Sequence, residues 1–203
     1  MDQKRIILIG GAPTTGKSTL AEQLARHLAL PWISTDQIRT IMRKTTNRAD
    51  HPKLFGPEGY SVERFLTEFS AEQIVQRELE QGEAVWTSAC PFIKQEWTWS
   101  RGFIVEGVNI LPHLVARDFS DQQQVRAAFL IDNDVDRIRR VIFARGLAGD
   151  AHSYSDGVKD KEVEWVTLFS RRIKADASRF GFPVIEVQKN GSDLDAVLAA
   201  IKP

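Results

Sequence analysis

Four apolar residues, Ile6-Ile7-Leu8-Ile9, run directly into Gly10-Gly11-Ala12-Pro13-Thr14-Thr15-Gly16-Lys17-Ser18-Thr19. A continuous apolar run with β-branched members fits a central parallel strand buried on both faces. Beyond the glycines, Leu20, Leu24 and Leu28 recur at helical spacing. Between strand and helix, Gly11 to Ser18 fills every fixed position of G-x-x-x-x-G-K-[ST], in the context that this motif requires. Backbone N–H groups of such a loop, with the positive end of the helix that follows, cradle a phosphate. Gly11 and Gly16 allow backbone angles and close approach that a Cβ would block. Lys17 is expected to reach the β- and γ-phosphates and Ser18 to ligate Mg²⁺. A chance glycine-rich turn would supply any one of these residues, but not all of them between a strand and a helix. Residues Gly11, Ala12, Pro13, Thr14, Thr15, Gly16, Lys17, Ser18 and Thr19 are therefore the expected nucleotide-binding segment. No Asn-Lys-x-Asp stretch is present to select guanine, so ATP with Mg²⁺ is the expected ligand.

The rest of the chain alternates strand and helix patterns. Trp32-Ile33-Ser34 reads as a short second strand, with Thr35 or Asp36 capping a helix to about Lys44. Residues 45 to 60 carry Asn47, Pro52, Gly56, Pro57 and Gly59 and read as loop. Val62, Phe65, Leu66 and Phe69 begin a helix that Ile74, Val75 and Leu79 continue to a stop at Gly82; in residues 83 to 99, Ala84-Val85-Trp86-Thr87 can open a strand, but the length also fits a further helix bent at Pro91, the preferred reading. Phe103-Ile104-Val105 and Val125 to Ile131 read as strands. A helix with Arg137, Arg139, Arg140 and Arg145 follows, then a polar stretch from Gly146 to Asp160 with the profile of a lid over about 145–160. A long helix from Val163 to Phe180, a strand at Phe182 to Val187 and a helix at Leu194 to Ile201 complete the pattern. Alternating strands and helices imply an α/β fold with one doubly wound parallel sheet. Without a repeat or a linker, residues 1–203 are expected to form a single domain.

Transfer of a phosphoryl group needs more than a cradle. Asp36, just after the second strand, falls at the carboxyl edge of the sheet, where open α/β sheets bind ligands. A carboxylate there can take the proton of a substrate hydroxyl as it attacks the γ-phosphate; the alternative is a helix cap. Arg39, one turn on, can clamp an anionic group on a substrate or be a plain surface arginine. Glu106 closes an apolar strand and can hold Mg²⁺ through water or hold substrate, or else face solvent. Asp132 and Asp134 read instead as caps of the arginine-bearing helix. Arg137, Arg140 and Arg145 can bring positive charge to a departing phosphate, with Arg145 the best placed, or form a solvated face. One of Arg171 and Arg172 is expected at the substrate, and Trp97 and Trp99 are expected in core packing.

Composition sets outer limits. The 203 residues include 27 basic and 27 acidic side chains, a net charge of zero, which argues against coating nucleic acid or an anionic membrane. One cysteine, Cys90, permits no internal disulfide. No stretch approaches the roughly 20 apolar residues of a membrane span, and the apolar run before Gly10 is too short for a leader, so a cytoplasmic protein is expected.

With these residues in place, the chain resembles the small P-loop kinases of the adenylate and shikimate kinase type and, more narrowly, the 2-phosphoglycerate kinase-like group. The likeness rests on Ile9-Gly10-Gly11 through Ser18-Thr19, on Ile33-Ser34-Thr35-Asp36-Gln37-Ile38-Arg39 with Met42-Arg43, and on Phe103-Ile104-Val105-Glu106-Gly107-Val108-Asn109 with Leu111-Pro112. The resemblance implies a P-loop NTPase fold, a five-stranded sheet in order 2-3-1-4-5 with helices on both faces, and ATP- and Mg²⁺-dependent transfer to a hydroxyl of a small anionic acceptor such as 2-phosphoglycerate. It implies acceptor binding by Asp36 and Arg39 and a substrate or metal role for Glu106. A monomer or homodimer acting without nucleic acid or membrane is the accompanying expectation. Where that group usually has His, this chain has Asn109, and its tryptophan-rich stretch from Gln81 to Arg101 also departs from the pattern. A similar aspartate occurs in zeta-toxin-like and antibiotic-phosphorylating kinases. A nucleotide kinase and a nucleotide-dependent regulatory switch are the other readings.

Overall fold

In a computed structural model, which describes residues 4–57, 59–147, 154–188 and 193–202, the apolar run forms β1 (Arg5–Gly11) at the centre of the sheet. β2 (Trp32–Ser34), β3 (Gly102–Glu106), β4 (Val125–Ile131) and β5 (Val184–Glu186) join it in the order β2-β3-β1-β4-β5, and every pairing is parallel. That is the order the resemblance implied. β1, β3 and β4 are buried almost throughout, because a strand with a helical layer on each side has no polar face.

The side-chain alternation of a strand divides this apolar sequence between two cores. Ile7, Ile9, Ile104, Ala128 and Leu130 face α1 (Lys17–Leu28) and α8 (Asp193–Ala200), through Leu20, Leu24 and Val197. Ile6, Leu8, Phe103, Val105 and Phe129 face the larger layer. This contains α4 (Ala71–Gln95), α5 (Pro112–Phe119), α6 (Val135–Arg145) and α7 (Asp156–Arg179), with Trp86, Ile93, Phe169 and Ile173 in its interior.

Several boundaries differ from the sequence-based expectation. The cap of α2 (Thr35–Thr45) is Ser34, whose hydroxyl accepts from Asp36 N–H while the Gln37 side chain accepts from Ser34 N–H. Asp36 is thus released from capping. A short α3 (Val62–Glu68) ends before Ser70, which caps α4 through a reciprocal pair with Gln73. α4 then runs through Gly82 without stopping. Gly82 faces the segment after β3, where a Cβ would lie 2.8 Å from Leu111 Cδ1, so the glycine serves close approach and not termination. Pro91 is exposed within the same helix, which covers most of the stretch 83–99. α7 starts at Asp156, earlier than the polar composition suggests, and residues 148–153 of the expected lid lie outside the described residues. Trp99 packs against Phe92 and Phe103, whereas Trp97 is 84% exposed and contributes nothing to the core.

The buried approach of α4 to Leu111 gives a direct test. Replacing Gly82→Leu is expected to destabilise the protein by about 1–3 kcal/mol through overpacking, read as a lower urea midpoint, despite the gain in helix propensity.

Candidate functional site

At the carboxyl end of β1 the backbone turns sharply because two residues have no Cβ. One on Gly10 would lie 2.5 Å from the Ile110 carbonyl, and one on Gly11 would lie 2.1 Å from the Leu130 carbonyl. The loop that follows stores strain. Thr14 is β-branched yet sits at φ 69°, and Gly16 at φ 79° leads into α1. Thr15 donates its hydroxyl proton to the Ala12 carbonyl at 2.8 Å. The N-terminus of α1 has no side-chain cap and no acid in its first turn, which leaves its amide donors for an anion.

Lys17 is 93% buried, a position an ammonium tolerates only with acceptors nearby. Its Nζ donates to the Ala12 carbonyl at 2.6 Å. Burial lowers its pKa from 10.5 to about 8, opposed by the charges of Glu106 and Asp36 and assisted by that of Arg145. Four residues far apart in sequence thus share one electrostatic environment. Glu106 is 2% exposed and accepts the Ser18 hydroxyl proton at 3.2 Å, so it does not face solvent. The register places Glu106 level with Ile9 on β1 and Ser34 on β2.

These groups line a cleft of about 950 Å³. The loop and the start of α1 contribute Pro13, Thr14, Gly16, Lys17, Ser18 and Thr19 to its lining, and Asp36, Arg39, Glu106 and Arg145 line it as well. Gly11, Ala12 and Thr15 of the same loop are buried and do not line it. Asp36 and Arg39 are paired at 3.0 Å, and Arg39 also donates to the side-chain Oε1 of Gln81 at 2.6 Å. Arg43 donates to the Leu54 carbonyl at 2.5 Å and lines the same region.

Sequence reasoning missed Glu78 and Gln81 of α4, which also line this cleft. Burial raises the Glu78 pKa, with Arg39 and Arg43 opposing the shift and Asp36 adding to it. Their place with Arg77 just before Gly82 was the available signal, but polar residues on a helix read as a solvated face until packing is known. Glu162 of α7, also on the cleft, was missed for a similar reason, since it falls just past the expected lid.

Other expectations are corrected. Arg137 is held by Asp132 at 2.7 and 2.8 Å and donates to the Val187 carbonyl at 2.8 Å, so it braces the base of α6 instead of meeting a phosphate. Arg140 is exposed and does not line the cleft. Arg171 and Arg172 are exposed away from it, Arg172 on Asp176. Asp134 does cap α6, accepting from Arg137 N–H at 2.9 Å.

A family model described as an AAA domain matches residues 5–193, the loop and the cleft walls included. The chain belongs to the AAA domain family. Among curated proteins, this AAA domain is 26% identical over 199 residues to the 2-phosphoglycerate kinase of Methanocaldococcus jannaschii, covering 97% of the chain and 62% of that protein. It is 25% identical to the 2-phosphoglycerate kinase of Methanopyrus kandleri, covering 97% and 60%. The chain thus spans about three-fifths of the length of these curated relatives. Among solved structures, TT1252 from Thermus thermophilus shares the fold, with a TM-score of 0.54, 17% identity and coverage of 98% of this chain and 97% of that one. No helix among the described residues is long and apolar enough to cross a membrane.

The buried ammonium makes the site of this AAA domain costly in the absence of a phosphate. Lys17→Met is expected to raise Tm of the unliganded protein. The unfolded chain binds more protons than the folded one between about pH 8 and 10.5, so wild-type stability recovers as pH rises through that window. The Tm advantage of the variant should accordingly shrink across it in a pH series of thermal melts.

Proposed function

We propose that this chain is a kinase that uses ATP with Mg²⁺ to phosphorylate a hydroxyl of a small anionic metabolite, with 2-phosphoglycerate the first acceptor to test. The observation that carries the proposal is the Lys17 ammonium, buried in a cleft that the carboxylates of Asp36 and Glu106 and the Arg145 guanidinium also line, the charges of all three acting on it. The two halves of the cleft suit two different substrates. On the loop side, uncapped α1 amides and Lys17 offer positive potential to a chain of phosphates. On the α2 and α4 side, Arg39 and Arg43 offer charge to an anionic acceptor, and α4 supplies Gln81. The names of the methanogen relatives support this reading.

The donor set fits Mg²⁺. Ser18 Oγ and the buried Glu106 carboxylate already meet at 3.2 Å, and both are the hard oxygen donors that this ion prefers. When bound, Mg²⁺ would offset negative charge on the phosphates. In the transfer itself, a bond forms from the acceptor oxygen to the γ-phosphorus and the bond to the ADP oxygen breaks. Asp36 Oδ takes the acceptor's proton, and its pairing with Arg39 holds the carboxylate toward the cleft. Lys17 and Arg145 stabilise charge on the phosphoryl oxygens.

Acceptor-stimulated ADP release tests the proposal. With 2-phosphoglycerate or a related phosphorylated hydroxy acid, Asp36→Asn should lose about 100-fold or more in kcat while nucleotide Kd stays within about threefold. Unchanged transfer by that variant would remove Asp36 as the base. Nucleotide affinity should also weaken above pH 8, by up to about tenfold per pH unit, because Lys17 then meets the phosphates uncharged. A flat profile in a fluorescent-nucleotide titration from pH 7 to 9.5 would exclude Lys17 as the titrating phosphate ligand.

A further inference from the structure

Glu162 is a carboxylate with 1% exposure on α7, lining the cleft but outside the set of residues assigned above. An acid in such a place is disfavoured relative to an apolar residue unless donors surround it. It has them. Tyr154 donates its hydroxyl proton to the carboxylate, with 3.1 and 3.2 Å to its two oxygens. Leu147 N–H lies 3.3 Å from the same Tyr154 hydroxyl. Lys159, one turn earlier and itself held by Asp156 at 3.0 Å, adds a favourable charge. These contacts gather chain segments on both sides of residues 148–153 onto one buried side chain.

Leu147 is two residues beyond Arg145, and Gly146 between them closes α6 by donating to the Ile142 carbonyl at 2.7 Å. The base of α6 is already fixed by Arg137 on Asp132, and Ser170 of α7 both donates to the Asp132 carbonyl and accepts its N–H. The far end, which carries Arg145, is tied to α7 through Leu147. We propose that Glu162 is a positioning residue, which sets the end of α6 so that the Arg145 guanidinium stands over the nucleotide phosphates opposite Lys17. The proposal rests on the nucleotide-binding reading of the cleft. It explains why an acid, and not a leucine of similar size, occupies this point of a buried helix face that also carries Val158, Val163, Val166 and Phe169. The Tyr154 hydroxyl, which itself accepts from Leu147 N–H, lies within reach of both carboxylate oxygens, and an amide would put an NH2 group in place of one of these two acceptors.

A double-mutant cycle in acceptor-dependent ADP production tests it. Arg145→Ala should lower kcat about 100-fold, and Glu162→Gln about tenfold, with KM for ATP within about threefold. The double variant should be no slower than Arg145→Ala alone, because a residue that acts by aiming Arg145 has nothing left to aim. Losses that multiply, or wild-type kcat in Glu162→Gln, would overturn the proposal. If Glu162→Gln does not fold, Tyr154→Phe takes its place in the cycle with the same expectations. A second readout does not depend on any acceptor: trypsin cleavage after Arg145, followed by mass spectrometry, with and without β,γ-imido-ATP and Mg²⁺. The analogue should slow that cleavage at least about fivefold in the wild type, and much less in Glu162→Gln, which still binds it. Equal protection in both proteins, or none in the wild type, would overturn the proposal. Failure of the kinase reading would show separately, as protection of Arg145 without turnover of any acceptor.

Discussion

An ammonium group kept out of water at the end of the central strand is the constraint around which the cleft is built. Lys17 stays charged there with help from three different elements: the Ala12 carbonyl of the loop accepts from it, and the charges of Glu106 from β3 and Asp36 from the first turn of α2 favour the ammonium. The strand order makes this possible. Because β3 lies between β1 and β2 and pairs Ile9 with Glu106 and Ser34 with Glu106, both acids emerge at the height where β1 ends. The glycines at 10 and 11 complete the arrangement, since a methyl group at either would collide with backbone carbonyls of neighbouring segments. Sheet topology, strand register and absent side chains thus jointly fix one charge.

The two halves of the cleft are made of different material. The loop half is mostly backbone, held in strained conformations by packing from below, so its shape is insensitive to what side chains do at the surface. The opposite half is mostly side chains, Arg39, Arg43, Glu78 and Gln81, projecting from two helices and tied to one another and to the Leu54 carbonyl. A network of that kind can be changed residue by residue without disturbing the loop. The loop half and the side-chain half of the cleft are therefore structurally separable.

This division also explains what could be read in the sequence. The loop, β1, α1 and the acids at strand ends are local patterns: a fixed motif, a run of apolar residues, a charged residue directly after one. Each was legible because its meaning depends on neighbours in the chain. Arg137 and Arg145 share a helix and look alike in sequence, yet one braces Asp132 while the other faces Lys17, a distinction set by β4, β5 and α7. Gly82 reads as a helix stop because termination is its commonest local meaning, and only the approach of Leu111 reveals another. Glu78 and Glu162 were unreadable for the same reason, since a glutamate in a helix is ordinary until tertiary packing buries it. Trp97 erred the opposite way, large and apolar yet left at the surface.

The outer strands, β2 and β5, are three residues each, whereas β1 and β4 at the centre have seven. A long flat outer strand would present a row of unpaired amides and carbonyls to any other extended chain. Here that row is too short to hold one, so the sheet stops growing at five strands. The brevity matters most before folding is complete, when parallel strands distant in sequence must wait for their crossover helices with apolar faces uncovered. Short borders protect the molecule from edge-to-edge aggregation during that interval, while the long central β1 they help enclose runs directly into the loop that lines the cleft.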